Sequence, residues 1–184
     1  AQIGAGQWLW GSRGAMALGG GECDGDWAEA DVELKGTLEL EPNNVLSLEV
    51  ASGYALIGDR LDEALKLVQD AAARDAVASG VYGAIGDVQI RRGRIAEAEA
   101  AYRKSAELNA TAAGTHMWLG FVLLAQGEPA AALAAVEQET DEGFREYGLA
   151  LAFGALGRQS DADRALAALE PSYADNMAAG SAPG

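Results

Sequence analysis

The sequence predicts an all-α fold, a solenoid of antiparallel helix pairs. Three observations carry this. First, the segment "RIAEAEAAYRKSAELNA" at 94–110 is an amphipathic helix, and moved back by 34 positions it falls on "RLDEALKLVQDAAARDA" at 60–76. A second such step reaches "DWAEADVELKGTLELEP" at 26–42, and a forward step reaches "EPAAALAAVEQET" at 128–140. Second, the apolar share is dominated by alanine, the best helix former. Third, glycines recur in register: Gly86 with Gly120, and Gly93 with Gly127. Self-similarity at a fixed period of this size marks a stacked repeat rather than a single bundle.

The repeat justifies each helix in turn. Ala30, Ala64, Ala98 and Ala132 occupy one position, and Glu29, Glu63 and Glu97 precede the first three. Leu34, Val68, Tyr102 and Val136 follow one helical turn later, where a bulky apolar residue packs. These are the second helices of the pairs. The first helices align as well, with "IGDVQIRRGRIAEAE" (85–99) overlying "LGFVLLAQGEPAAAL" (119–133). In each, the first glycine lies mid-helix, where a missing side chain lets a neighbour approach. The second lies at the helix end, where glycine takes the left-handed conformation that stops it.

The repeats run at about 11–44, 45–78, 79–112, 113–142 and 143–176, within a solenoid spanning 26–176. The edges are irregular. Residues 1–25 hold a degenerate helix near 2–17 and a glycine-rich loop, with Gly19, Gly20 and Gly21 ending the helix and Trp8 and Trp10 packing over the stack. Asp26 reads as a helix N-cap, with Glu29 completing a capping box. After "EQET" the next helix, "DEGFREYGLALAFGALG", arrives about four residues early, so the fourth repeat is shortened. Residues 177–184 are expected to form a loose tail.

Composition narrows the function classes. With 13 Lys and Arg against 28 Asp and Glu, the net charge is −15. A general nucleic-acid binder needs a basic face to displace counterions, and an anionic membrane surface would repel this chain. A basic or apolar partner suits it better. The lone Cys23 forbids an internal disulfide and a cysteine-only zinc site. The lone His116 forbids a histidine pair on a metal. No apolar run is long enough to span a bilayer, and no signal segment opens the chain. A cytoplasmic setting is expected. The chain begins without Met, so a fragment of a longer protein is one reading.

The 34-residue period, "WLGFVL" at 118–123, "RGRIAEAEAAYRKSAEL" at 92–108 and "LELEPNN" at 38–44 resemble the tetratricopeptide repeat family. The register holds without a gap from about 26 to 139. The resemblance implies a right-handed superhelical solenoid in which the first helix of each pair lines a concave face. That geometry projects Leu46, Glu49, Gly53 and Leu56 onto the face from the second repeat, and Gly80, Gly83, Asp87 and Ile90 from the third. Met117, Phe121 and Leu124 follow from the fourth repeat, and Phe144, Tyr147 and Leu151 from the fifth. The projected strip is glycine-lined and acidic in its middle, at Glu49 and Asp87, and apolar toward its C-terminal end. It suits an amphipathic helix or an extended peptide. The other reading stays open: Phe121, Phe144 and Tyr147 pack against the next helix or a capping helix. Family members that hold a peptide's terminal carboxylate use Lys, Arg and Asn here, and those residue types are missing.

The front of the repeat, the shortened fourth repeat and "EYGLALAFGALGR" also resemble tetratricopeptide segments of bacterial regulators, downstream of winged-helix or cyclase-type domains. That resemblance implies the alternative role, a sensing or oligomerising segment of a larger bacterial transcriptional or signalling protein.

Chemistry beyond binding finds little support. Arg91, Arg92 and Arg94, with Arg103 and Lys104, form the basic cluster, which reads as solvated helix ends more readily than as a phosphate site. "GECDGDWAEADVE" gathers carboxylates, but its continuation into helix leaves no calcium loop. Neither "GAGQWLWG" nor "GGGECDG" carries the lysine of a phosphate loop. His116 falls where the repeat wants a large packed residue, and Ser47, Ser52 and Ser105 fall at small-residue positions. No catalytic residue, metal site or cofactor is expected. The chain reads as a non-catalytic scaffold that binds a protein or peptide.

Overall fold

The computed structural model describes the backbone of residues 41–180 and the side chains of residues 41–169. The expectations for the N-terminal helix and glycine loop, Trp8 and Trp10, Cys23, the Asp26 cap and the first repeat up to residue 40 lie outside the described residues, as does the tail from 181. The chain divides into two compact units, Ala1–Arg92 and Gly93–Gly184. Among the described residues all regular structure is α-helical.

The N-terminal unit contains α1 (Val45–Ile57), α2 (Leu61–Arg74) and α3 (Ser79–Arg91). Asn44 starts α1, its side chain accepting from the Ser47 N–H at 3.1 Å. At the other end of α1, the Asp59 N–H donates to the Leu56 carbonyl at 3.2 Å and the Arg60 N–H to the Ala55 carbonyl at 2.8 Å. This is a Schellman turn, and it folds α2 back against α1. Ala55, Leu56, Ala64, Val68 and Val88 form one buried cluster, flanked by Leu61, Leu65 and Ile85. Leu48, Ala71 and Val81 form another. All three helices pack on one another.

The C-terminal unit contains α4 (Ile95–Leu108), α5 (Thr115–Ala125), α6 (Pro129–Val136), α7 (Glu142–Ala155) and α8 (Gln159–Gly180). The Schellman turn recurs after α5, where the Gly127 N–H donates to Leu124 O at 3.0 Å and Glu128 N–H to Leu123 O at 2.9 Å. It recurs after α7, with Gly157 N–H to Gly154 O at 3.0 Å and Arg158 N–H to Phe153 O at 2.9 Å. Pro129 opens α6 at its first turn, where the missing N–H costs nothing. That helix is only eight residues long. Residues 177–180, assigned from sequence to the loose tail, are the last turn of α8; alanines at 178 and 179 favour its continuation.

The repeat positions are where the core sits. Ala64, Ala98, Ala132, Val68 and Val136 are fully buried and Tyr102 nearly so. Within each unit, Ala64 and the Ala132–Val136 pair face a small residue of the preceding helix. In the N-terminal unit that residue is Ser52, whose buried hydroxyl donates to the Ala64 carbonyl at 2.9 Å. In the C-terminal unit it is Gly120, where an added methyl would stand 2.5 Å from Val136 Cγ2 and 3.4 Å from the Ala132 carbonyl. Both residues allow the two helices of a pair to approach closely.

Candidate functional site

The aromatic residues of the C-terminal unit assemble from two helices. On α5, Trp118 and Phe121 are one turn apart and lie on one face. On α7, Phe144, Tyr147 and Leu151 follow the same helical spacing. The packing of α7 on α5 brings the two sets together. The Trp118 and Phe121 rings meet edge to face, centroids 5.2 Å apart and planes at 81°. The Phe121 and Tyr147 rings repeat this at 5.6 Å and 79°. Both geometries lie in the favoured T-shaped range. The Phe144 ring lies beside Gly114, where an added methyl would touch it at 3.4 Å.

Part of this strip faces solvent. Tyr147 is 47% exposed, Leu151 42% and Phe144 36%, while Phe121, Leu124 and Trp118 are half-buried. Met117 does not belong to it. It is 3% exposed, because α4, α6 and α7 all pack on α5 and bury that side of the helix. The sequence placed Met117 on the open face; the structure places it in the core.

Of the projected residues in the N-terminal unit, Glu49, Gly53, Gly83 and Ile90 are half-buried, and Leu46 and Gly80 are exposed. The Glu49 carboxyl lies over Gly80, where an added methyl would stand 2.9 Å from Oε1. Burial raises the Glu49 pKa above the usual carboxylate value, since desolvation disfavours the charged form. Asp87 is buried, at 8% exposure, and Leu56 belongs to the core. These two are corrections to the projected face. Leu56 packs with Ala64 and Val68 of α2, and Asp87 lies between buried Gly86 and Val88 on α3.

The basic residues are paired. In the N-terminal unit Arg91 meets Asp59 at 3.2 Å, and Arg92 meets Asp62. In the C-terminal unit Arg94 meets Glu97 at 3.4 Å, Lys104 meets Glu107 at 3.3 Å, and Arg103 meets Glu99. Paired guanidinium groups leave little for a phosphate. His116 is buried, with Nε2 3.2 Å from the Ala110 carbonyl. No described group of three His, Cys, Asp or Glu could hold a metal ion. No described helix is long and apolar enough to cross a membrane.

Two residues of this region escaped the sequence reading. Trp118 stands within "WLGFVL" but was not assigned to the face, although its spacing to Phe121 was the available signal. Glu139 lies in "EQET", read there as the end of a repeat. It is 3% exposed, and its carboxylate accepts hydrogen bonds from the backbone N–H groups of Met117, Thr140 and Asp141. No local pattern announces such a role.

No family model matches this chain, and no curated protein does. Solved structures do. A crystal structure of MamA superposes with a TM-score of 0.66 at 21% identity, covering 83% of this chain and 92% of that one. TTC0263, a thermophilic tetratricopeptide protein of Thermus thermophilus, gives 0.72 at 19%, covering 85% and 89%. YrrB, described as a tetratricopeptide protein with an unusual peptide-binding site, gives 0.60 at 19%, covering 77% of each chain. Identity this low speaks to fold alone, and the fold it establishes, with the repeat positions buried as described, is that of the tetratricopeptide repeat.

Proposed function

We propose that this chain is a non-catalytic interaction module whose C-terminal unit docks an apolar segment of a partner protein or peptide. The observation that carries the reading is the edge-to-face strip Trp118–Phe121–Tyr147, continued on the surface by Phe144 and Leu151. Aromatic side chains offer large apolar area at low entropic cost, which is why they anchor interfaces. Leu124 borders the strip. In the N-terminal unit, Glu49 offers a half-buried carboxylate on a face where Gly53, Gly80 and Gly83 keep the backbone accessible. Such a group favours a cationic side chain, which would offset the cost of desolvating its charge. The net charge of −15 points the same way. The partner of the strip is therefore apolar, and the negative charge of the chain favours basic residues on it. Ile90, half-buried on α3, adds apolar surface to the same unit as Glu49. A cytoplasmic setting belongs to this reading, consistent with a chain that has a single cysteine.

The test is peptide selection. A phage-displayed library of random peptides is panned against the protein, and the enriched peptides are synthesised. They should carry an aromatic or aliphatic anchor beside Lys or Arg. Binding should be lost in a Phe144→Glu/Tyr147→Glu double variant that keeps its helical spectrum. Failure to enrich any peptide, or undiminished binding by the double variant, overturns the reading.

A further inference from the structure

We infer that Glu139 is the positioning residue of the aromatic strip: its buried carboxylate ties the first turn of α5 to the entry of α7 and so sets the contact between Phe121 and Tyr147. The inference rests on the strip being the docking face, and it explains the shortened fourth repeat, which the proposed function leaves unused.

The geometry is specific. Helix α6 stops at Val136, and the Glu139 N–H closes the turn onto the Val136 carbonyl at 2.9 Å. The side chain then points inward. Its Oε2 accepts from the Met117 N–H at 3.3 Å, in the first turn of α5. Its Oε1 accepts from the N–H groups of Thr140 at 3.0 Å and Asp141 at 3.1 Å. Helix α5 has no cap of its own, since Gly114 precedes it without a side chain. Glu139 supplies the missing acceptor from another segment of the chain. A buried carboxylate persists only when its lone pairs are met, and the N-terminal turn of a helix is where negative charge is favoured.

Both tethered points lead directly into the strip. Met117 is followed by Trp118 and, one turn on, by Phe121. Asp141 caps α7, its side chain accepting from the Phe144 N–H at 3.0 Å. Beneath the same two helices lies Val136. An added methyl at Gly120 would stand 2.5 Å from one of its methyls, and one at Gly148 2.7 Å from the other. The end of α6 thus holds α5 and α7 together with an apolar wedge and a charged clamp. In a repeat of full length this helix would continue through residue 139, and the clamp would not form.

The test reads the rings. Nuclear Overhauser contacts are recorded between Phe121 and Tyr147, across the two helices, and between Trp118 and Phe121, within α5. In Glu139→Ala the first should vanish and the second remain. Ala98→Gly, which loosens the same unit inside α4, should keep both. Survival of the Phe121–Tyr147 contact in Glu139→Ala, or its equal loss in Ala98→Gly, overturns the inference. If Glu139→Ala does not fold, Glu139→Gln replaces it: one acceptor oxygen remains, and the Tyr147 ring resonances should move while those of Trp118 hold. Unmoved Tyr147 resonances overturn the inference. A peptide enriched by panning should bind Glu139→Ala about tenfold more weakly or worse, and Ala98→Gly with parent affinity. If no peptide is enriched the docking reading fails, and the ring contacts still decide the role of Glu139.

Discussion

Asp59 occupies the helix-ending position that Gly93, Gly127 and Gly157 hold in the later repeats, and like them it takes a positive φ, 58° against 72°, 79° and 72°. An L side chain is strained there, though Asp tolerates it better than most. Its ion pair with Arg91 is exposed and offsets little. Asp59→Gly should therefore stabilise the protein by about 0.5 kcal/mol, the relief of strain exceeding the extra entropy of glycine in the unfolded chain. A urea midpoint that falls would show that the Arg91 contact matters more. Glu49 yields a second expectation. Its raised pKa means that the folded state binds the proton more tightly than the unfolded state. Its contribution is fully present below the unfolded carboxylate pKa and is lost as pH rises through the folded value. Glu49→Gln should melt higher than the parent at neutral pH, and the difference should shrink as the pH drops through the carboxylate range. A difference independent of pH would contradict the burial of this carboxyl.

Two described helix pairs, α1 with α2 and α5 with α6, approach closely at one small residue each. Gly120 lies against Val136 with no space for a side chain, and Gly86 is buried at the equivalent place in α3. Gly120→Leu and Gly86→Leu should each destabilise by roughly 1–3 kcal/mol through overpacking. Chemical denaturation of both variants checks this; unchanged midpoints would mean that the pairs can open without cost. Ser52 shows a second solution at the same position, a hydroxyl that turns the close approach into a hydrogen bond. Legibility at this scale was high for helix positions, because burial repeats with the period. The shortness of helix α6 was legible too, from the early arrival of the next helix, whereas nothing in "AAVEQET" announces the contacts of Glu139.

The described molecule comprises two compact units, each with its own core. In a stack of repeats, stability comes from neighbouring interfaces rather than from one global core. A fragment of residues 93–184 should therefore give a strongly helical far-ultraviolet spectrum and a cooperative melt on its own. A featureless spectrum would show that the C-terminal unit needs its neighbour to fold. Much of the architecture could be read in advance: the all-α class, the paired helices and the left-handed glycines at 93 and 127 all follow from local preferences repeated in register. The candidate face was legible only in part. Periodicity names the side of a helix on which Phe121, Tyr147 and Leu151 lie, and their spacing sufficed for that. It does not say how many neighbours a helix has, so Met117, Asp87 and Leu56 were assigned to an open face although packing buries them. Which residues repeat and which helices they form can be read along the chain, since both depend on contacts a few residues apart. Only the tertiary structure decided which of those faces stay open and that Glu139 caps a helix begun more than twenty residues earlier, because burial and long-range hydrogen bonding depend on neighbours that the local pattern does not encode.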